Sequence, residues 1–477
     1  MKKIILLLIG IVVLSTYSCQ KDQLYQPLPT SISNQAGAPF STSARIYAQV
    51  LSLYSSLRNG QLYGGRYQIY NDVKADNWIN STANSVTAYQ TWNETIQSTS
   101  SEAINLWAAC YTTINNCNLF IDGMNAYGTA VVGTALAANY IGEAQFVRAL
   151  SYDALLVMYC QAYSVSSGNT PAVPLRLTGN SAYGDFSAAP ATVAQVYAQI
   201  ISDLNAAETA LPISYGSDAT SNTIRASRNT AIAFKTRVYL AMGQWANVVT
   251  EANKIVSATA PFTATSGVAY ALQANIAKVF ATPYTTTESV FSEPFTTTET
   301  VGGQNALADY FNTTGTTEFY INSSSALFTD AGWKATDARR GFIKTTGTKL
   351  NLTKWALGSP YLDWANVMRY SEVLLNLAEA RVNLNGPSDA QAIALLNAVR
   401  QRSDATTVFA TATLASIYEE RNIEFLGEGL KWQDLLRLGL PIPAKGNITA
   451  TPVGGFGSTY IWPMSSAEQL YNPLIGR

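Results

Sequence analysis

Apolar residues recur at the spacing of an amphipathic helix over most of this chain. The clearest segments are residues 44–57, 102–124, 136–163 and 192–211, in which apolar positions lie three and four residues apart. A further segment, 230–257, is interrupted at Gly243 and predicts two helices joined by a turn. The pattern therefore predicts a mainly α protein.

The C-terminal third predicts three more helices between residues 366 and 439. In the first, Val367, Tyr370 and Leu374 share one face at helical spacing. Ser388 and Gln391 have the spacing of a capping box, which predicts that the second helix begins near them. Each helix presents one apolar face, as expected for helices that pack together.

Charged side chains crowd into the third of these helices, although only 13% of the chain is charged. Burying such charges without partners would be prohibitive, so they must be paired or exposed. We expect Arg421 to pair with Glu424 or Glu428, and Gly427 and Gly429 to end the helix and turn the chain. The cluster is interpreted as a structural corner rather than a ligand site.

Two stretches, 59–100 and 259–365, lack a sustained helical period. The second is rich in Thr, Gly, Tyr and Phe, and residues 289–292 predict a short strand. Long irregular segments are usually functional or disordered, and the aromatic content of these two argues against disorder. Loops on a rigid scaffold commonly carry binding residues, so these loop islands are where a ligand site is expected.

The composition excludes several classes of function. A formal net charge of −1 offers no basic surface for nucleic acid. The chain has no histidine, which removes histidine-dependent triads and histidine metal sites, and no cofactor or metal is expected.

Cys110 and Cys117 lie too far apart along one helix for a disulfide. Together with Cys160 they are predicted to be buried, small apolar residues.

Residues 1–18 have the organisation of a secretory signal peptide, because Lys2 and Lys3 precede a short apolar segment. Cys19 follows Ser18 as in the lipobox of bacterial lipoproteins, and we expect it to be lipidated; ordinary signal-peptidase cleavage is the alternative. Residues 19–40 hold three prolines and are expected to form a lipid anchor and tether. Residues 41–477 would then form a single domain with loop-rich insertions at about 59–100 and 259–365.

The C-terminal third resembles the SusD/RagB family of outer-membrane nutrient-binding lipoproteins. The family's R-Y-x-E-V-L-L-x-x-A-E-A motif begins here at Arg369, and its E-R-x-x-E-F-x-G-E-G-x-x-W-x-D-L-x-R motif begins at Glu420. Asp337 and Arg339 resemble the family's D-x-R element, which we expect to be a structural ion pair. The resemblance implies a SusD-like fold, mainly α, in which tetratricopeptide-type helix pairs form a scaffold beside a loop-rich region with short strands.

The same resemblance implies a function without catalysis. The expected protein is a lipoprotein on the cell-surface side of the outer membrane that binds a nutrient oligomer and delivers it to a SusC-like TonB-dependent transporter. An oligosaccharide is the expected ligand. Peptide ligands, or a helical-repeat adaptor that binds no small ligand, are the alternatives. A glycosidase would need two carboxylates about 5 to 9 Å apart in one cleft, and the adjacent Glu419 and Glu420 point in different directions on a helix.

The loop islands supply the candidate ligand contacts. Sugars offer apolar C–H faces and a rim of hydroxyls, which aromatic rings and nearby amides or charged groups can satisfy together. The candidate residues are two tryptophans, two tyrosines and two hydrogen-bonding side chains: Trp78, Trp92, Tyr89, Tyr320, Arg66 and Asn77.

Overall fold

The computed structural model describes residues 37–182, 184–455 and 459–475. The predicted signal peptide, Cys19 and the tether as far as residue 36 lie outside the described residues. The last tether residues, 37–40, belong to the folded part, because Phe40 is buried and its ring lies 6.0 Å from that of Phe120. No helix in the described ranges is both long and apolar enough to cross a membrane.

Helices make up most of the regular structure, as the periodicity predicts. In chain order they are α1 Ser43–Leu57, α2 Arg66–Val73, α3 Tyr89–Trp92, α4 Ser101–Gly123, α5 Thr129–Val132, α6 Thr134–Tyr159, α7 Val193–Ala210, α8 Ala219–Ile224, α9 Arg228–Ala241, α10 Trp245–Ala252, α11 Leu307–Phe311, α12 Ala326–Thr329, α13 Tyr370–Asn385, α14 Ala390–Ser403, α15 Leu414–Glu424, α16 Lys431–Arg437 and α17 Ser466–Tyr471. Short 3₁₀ or π turns lie at Ala38–Phe40, Met124–Gly128, Val165–Gly168, Ile276–Phe280, Gly303–Asn305, Ala338–Phe342 and Pro473–Ile475.

Within the described ranges, the strands are short and form four two-stranded antiparallel sheets. They are β1 Trp78–Asn80, β2 Pro171–Pro174, β3 Pro190–Thr192, β4 Ser289–Glu293, β5 Phe319–Ile321, β6 Ile343–Thr346, β7 Lys349–Leu352 and β8 Ala365–Arg369. The pairs are β1 with β5, β2 with β3, β4 with β8, and β6 with β7. The strand predicted at 289–292 is therefore confirmed as β4.

One continuous apolar core joins most of these elements. Helix α6 packs against both α4 and α7, and α9 packs against α10 and α13 against α14. The turn between α9 and α10 is made by Gly243, whose φ of +67° favours glycine. The helix pair predicted around that residue is confirmed, and the overall architecture is the predicted α scaffold with short strands.

Two details of the C-terminal helices differ from the sequence prediction. Val367 lies on β8 and not on the first helix, which begins at Tyr370, because residues 365–369 pair with β4 in place of helical bonds. The second helix is capped by Asp389 and not by Ser388, since the Asp389 carboxylate accepts the Ala392 N–H at 2.8 Å. A carboxylate is a stronger acceptor than a hydroxyl, so the neighbouring aspartate takes the capping position.

Gly427 and Gly429 turn the chain after α15, as predicted. Their φ values are +84° and +83°, a backbone region that glycine tolerates best. The chain also approaches its neighbours closely here, because a Cβ on Gly429 would lie 2.6 Å from Gln68 Cα. After this turn Trp432 packs into the core and donates its Nε1–H to the Val157 carbonyl at 3.0 Å.

Three of the crowded charges, Glu420, Glu424 and Glu428, belong to a buried charge network. Arg369 lies at its centre and contacts three carboxylates, with N–O distances of 2.6 Å to Glu288, 2.7 Å to Glu424 and 2.7 Å to Glu428. Glu424 extends the network to Arg339 at 2.9 Å. We use the name buried charge network for these ten residues: Glu288, Asp337, Arg339, Lys354, Arg369, Arg400, Arg402, Glu420, Glu424 and Glu428.

The predicted ion pair between Asp337 and Arg339 is confirmed, with an N–O distance of 2.7 Å. The prediction for Arg421 is wrong. Its guanidinium contacts Asp434 at 2.9 Å, while Glu424 and Glu428 are occupied by other cations of the network. Burial alone would raise the pKa of Glu424, but the neighbouring Arg402, Arg369 and Arg339 hold it well below its usual value. Glu424 is therefore ionised in the interior.

The cysteines behave as predicted from their spacing. Cys110, Cys117 and Cys160 are free and buried, and burial raises the pKa of each thiol. They fill the core as small apolar groups.

Replacing Arg369 by methionine should destabilise the fold severely. The change leaves carboxylates of the buried charge network without their main cation, and breaking a buried ion pair on one side costs about 3–5 kcal/mol. Urea unfolding of Arg369→Met should show this loss, whereas Arg381→Met, which breaks a partly exposed pair with Asp389, should cost at most about 1 kcal/mol. Equal losses in the two variants would contradict the central place given to Arg369.

The pair between Arg421 and Asp434 predicts a pH dependence of stability. Burial acts to raise the pKa of Asp434, but Arg421 and Arg437 lower it to about 2. A lowered pKa means that this carboxylate stabilises the fold above its unfolded pKa of about 3.9, and that the contribution is lost as the pH falls toward 2. Asp434→Asn should therefore lose more stability relative to wild type at pH 6 than at pH 3, measured by urea unfolding. A difference that is independent of pH would contradict the assignment.

Candidate ligand-binding surface

The two loop islands meet at the small sheet formed by β1 and β5. Trp78 pairs with Ile321, Ile79 with Tyr320, and Asn80 with Phe319. Side chains alternate along a strand, so Ile79 and Tyr320 share one face while Trp78 points to the other. The pairing brings residues more than 200 positions apart in sequence onto one surface, and it decides which candidate side chains are accessible.

Trp78 faces the interior, contrary to its expected role as an exposed platform. Its side chain is fully buried and stacks on Phe311 with ring centroids 4.1 Å apart. The indole Nε1–H points toward Asp72 Oδ1 at 3.4 Å. Both faces and the polar edge of the ring are thus occupied by the protein, so Trp78 supports the surface from below and does not present a face to a ligand.

Asp72 connects this sheet to the C-terminal turn. Its carboxylate accepts the backbone N–H groups of Gly427, at 3.2 Å, and Gly429. Burial raises the pKa of Asp72 to about 7, and the hydrogen bonds from Gly429, Trp78 and Gly427 oppose that rise. The glycine turn that follows α15 is therefore tied directly to the first loop island.

Trp92 is also part of the support. It is 5% exposed, and its Nε1–H donates to the Trp78 carbonyl at 2.8 Å. Tyr89, one turn earlier on α3, stacks against it with centroids 6.1 Å apart and remains half-buried. The start of α3 is held by Glu102, whose carboxylate accepts the Gln90 and Thr91 N–H groups at 3.2 Å each. Tyr89 is the member of this group with accessible surface.

Arg66 joins the two loop islands and is buried while doing so. Its guanidinium donates to the Val86 carbonyl at 2.7 Å, to Asn305 Oδ1 at 2.7 Å and to the Gln304 carbonyl at 3.1 Å. A Cβ on the neighbouring Gly65, which has a φ of +141°, would lie 1.9 Å from the Asn305 carbonyl oxygen, so only glycine allows this approach. Arg66 therefore positions loops and does not reach outward to a ligand.

Asn77 is likewise occupied inside the protein. Its side-chain N–H donates to Asn422 Oδ1 on α15 at 2.8 Å, and its carbonyl accepts the Asn322 N–H at 2.8 Å. Both contacts link β1 to the scaffold and to the chain beyond β5. Like Arg66, Asn77 serves the geometry of the surface from within.

Tyr89 and Tyr320 are the candidates that retain accessible surface. The Tyr320 ring is half-buried, with Lys349 Nζ lying 5.0 Å from its centroid. In the two loop islands, the segments 80–86, 296–304 and 312–317 expose chiefly Thr, Ser, Asn and Gln side chains. We call Tyr89, Tyr320 and these three segments the loop surface. It combines aromatic faces with many uncharged hydrogen-bonding groups, a chemistry suited to a neutral, hydroxyl-rich ligand.

Tyr361 is a further half-buried aromatic at the edge of the loop surface, and the sequence pattern did not single it out. Its hydroxyl donates to Asp309 Oδ1 at 2.9 Å, an oxygen that also accepts the Thr316 N–H at 2.9 Å. Its ring lies 3.3 Å from the position that a Cβ on Gly303 would take. Only the folded chain brings residue 361 to these loops, so no local signal marked it.

The described ranges hold no group of three acidic or cysteine side chains placed to bind a metal ion. The buried carboxylates of the charge network are saturated by arginines and a lysine, so they offer no open coordination site.

Comparison with known proteins places this fold in a defined class. Residues 36–240 match a family model described as starch-binding, associating with the outer membrane, and residues 272–471 match the model of the SusD family. A SusD superfamily protein from Bacteroides fragilis is 30% identical, with 92% of this chain and 100% of that chain covered and a TM-score of 0.82.

Two further relatives are more distant. Surface glycan-binding protein A from Bacteroides uniformis shares the fold at 19% identity, with a TM-score of 0.73 over 91% of this chain and 99% of that chain. SusD-like protein P38 from Formosa agariphila is 29% identical over 133 residues, which are 24% of this chain and 25% of the relative. The chain thus matches about a quarter of the length of that curated relative.

The architecture is that of a SusD superfamily binding protein, in which a helical scaffold carries loops. The chain belongs to the SusD family, and the prediction made from its C-terminal motifs is confirmed. Members of this family are binding proteins that associate with the outer membrane and take part in carbohydrate uptake.

Removing the Arg66 guanidinium should loosen both loop islands. Arg66→Met keeps the apolar stem but deletes the hydrogen bonds to Val86, Gln304 and Asn305, and leaves acceptors unsatisfied at a cost of about 1–3 kcal/mol. Amide hydrogen exchange should become faster in peptides covering 80–90 and 300–310, and Arg45→Met, on the exposed start of α1, should leave these peptides unchanged. Unaltered exchange in Arg66→Met would refute the positioning role.

Proposed function

We propose that this protein captures a neutral glycan at the cell surface and hands it to a SusC-like TonB-dependent transporter. The observation that carries the proposal is the loop surface itself, where half-buried Tyr320 and Tyr89 stand among uncharged hydroxyl and amide groups. Aromatic rings stack on the apolar faces of sugars, while Thr, Asn and Gln side chains exchange hydrogen bonds with sugar hydroxyls. Membership of the SusD family supports the same ligand class.

The absence of excess charge on the loop surface favours a neutral ligand over a charged one. Glu299 is the one acidic residue among the exposed loop segments, and it is paired with Arg58. These segments contain no lysine or arginine, and Lys349 beside the Tyr320 ring is an exposed cation, so a carboxylated or phosphorylated ligand would gain little more than a weak exposed ion pair there. Peptides, with charged termini and side chains, fit this surface less well than oligosaccharides.

The function also requires placement at the membrane. We propose that residues 1–18 direct export, that Cys19 carries the lipid, and that residues 19–40 include the tether to a single domain comprising 41–477. A single lipid-bearing segment would leave the helical scaffold free to dock on the transporter and the loop surface free to take the ligand. In this role the protein binds the ligand and does not change it chemically.

Removing the two accessible rings should weaken glycan capture strongly. Tyr89→Ala combined with Tyr320→Ala deletes the stacking faces and should weaken binding at least tenfold, since aromatic contacts contribute about 0.5–1.5 kcal/mol each beyond area burial. A glycan array of neutral polysaccharides would select the ligand, and retardation in gels containing that polysaccharide would measure the loss.

Tyr127→Ala is a matched control, because that ring is 45% exposed and belongs to the Met124–Gly128 turn after α4, outside both loop islands. Unchanged retardation of the double variant would remove Tyr89 and Tyr320 from the site. If the protein binds peptides and no glycan on the array, the ligand class is peptides and not glycans. If it binds no ligand at all, the result favours a helical-repeat adaptor that binds no small ligand.

A further inference from the structure

A groove of about 700 Å³ lies between α4, the segment that follows β2, and α17. Its volume falls within the range of small-molecule sites, which is about 300–1,000 Å³. None of its lining residues belongs to the loop surface, and the sequence prediction did not anticipate it. Three chain segments far apart in sequence build it, so it exists only in the folded protein.

The floor of the groove is aromatic. Trp107 and Tyr111 lie one turn apart on α4, with ring centroids 5.1 Å apart. The guanidinium of Arg176 lies 5.5 Å from the Tyr111 ring centroid, and Tyr111 donates its hydroxyl hydrogen to the Pro174 carbonyl at 2.7 Å. Helix α4 and the segment after β2 therefore hold the floor in one conformation.

Two of the charges in the groove, Arg176 and Glu468, neutralise each other, while the carboxylate of Asp185 also lines it and can accept hydrogen bonds from sugar hydroxyls. Arg176 and Glu468 form an ion pair at 2.7 Å, and Glu468 also accepts hydrogen bonds from the Trp107 Nε1–H at 3.3 Å and the Asn472 amide at 2.8 Å. With its charges engaged in this way, the pair offers little attraction to an ionic ligand. It fixes α17 against α4 before any ligand binds, which lowers the ordering cost of binding.

The walls carry accessible aromatic rings and neutral polar groups. Phe186 is 41% exposed and Tyr471 is 79% exposed, an unusual degree for large aromatic side chains. The Thr112 hydroxyl and the Asn180 amide also line the groove. Accessible rings with hydroxyl and amide groups between them match the alternating apolar faces and hydroxyl rims of a sugar chain.

We propose that this groove is a second oligosaccharide-binding site, separate from the loop surface and specific for uncharged sugars. The proposal takes its ligand class from the proposed glycan-binding function, but it depends on different residues. Phe186 and Tyr471 supply the stacking faces, Thr112 and Asn180 the hydrogen bonds, and the Arg176–Glu468 pair holds the floor. Two sites on one chain would bind a long glycan at two points, which raises retention through effective concentration.

Calorimetric titration of the full mature chain with maltohexaose, laminarihexaose, cellohexaose and mannohexaose would test the second site. Wild type should bind at least one of these probes at two sites. Phe186→Ala combined with Tyr471→Ala should reduce the stoichiometry to one and weaken the lost site at least tenfold. Tyr89→Ala combined with Tyr320→Ala should remove the other site instead. Leu470→Ala, which is exposed on the same helix and does not line the groove, should bind as wild type does.

Two-site binding that the groove variant leaves unchanged would overturn the groove proposal, and so would a single site that only the loop variant removes. A single site that only the groove variant removes would uphold the groove and refute the loop assignment. Binding of none of the four probes would overturn the proposed ligand class of the groove.

Discussion

Arg369 and Glu424 meet in the interior of this protein, and the positions of most functional segments follow from that contact. The chain is poor in charge, yet it buries ten ionic groups in one connected network that joins Glu288, just before β4, to β8, α14, α15 and the turn at Ala338–Phe342. Burying one of these charges without its partners would cost several kcal/mol, so the elements that carry them must all be in place together. The network thus specifies one arrangement of the C-terminal helices, and the glycine turn after α15 has a fixed position as a result.

Hydrogen bonds connect the glycine turn after α15 to the loop islands. Asp72 accepts the Gly427 and Gly429 N–H groups and lies beside the Trp78 indole, while Arg66 holds residues 86, 304 and 305 together. Trp78 and Trp92 fill the space beneath β1 and β5. Binding loops need such support, because a ligand contact is only as well placed as the residues behind it. The helical scaffold and the loop surface are therefore firmly connected. Trp78 and Trp92 lie in the interior of this connection, and Tyr89 and Tyr320 lie at the surface.

The sequence predicts the parts of this protein that depend on local order. The helices, the turn at Gly243 and the strand at 289–292 follow from spacing within a few residues, and the pair Asp337–Arg339 follows from the resemblance to the family's D-x-R element. Long-range contacts decided the rest. Arg421 meets Asp434 because Arg369, Arg402 and Arg339 already occupy Glu424, and Val367 joins a strand because β4, more than 70 residues earlier, pairs with it. In the sequence, Trp78 and Tyr320 look equivalent, because both are aromatic residues in the loop islands. In the structure they lie on opposite faces of the β1–β5 sheet, so Trp78 is buried and Tyr320 keeps accessible surface. The groove at α17 combines three distant segments and left no local signal.

The central claim is that a neutral glycan lies on the loop surface of a SusD-family scaffold. A crystal structure of the protein with the oligosaccharide selected by a glycan array tests this most directly. We expect electron density for a sugar ring in van der Waals contact with Tyr320 or Tyr89, with its hydroxyls bonded to the segments 80–86, 296–304 or 312–317, and with Trp78 and Trp92 still buried. A loop surface that stays empty in crystals in which the same oligosaccharide occupies other parts of the protein would contradict the account.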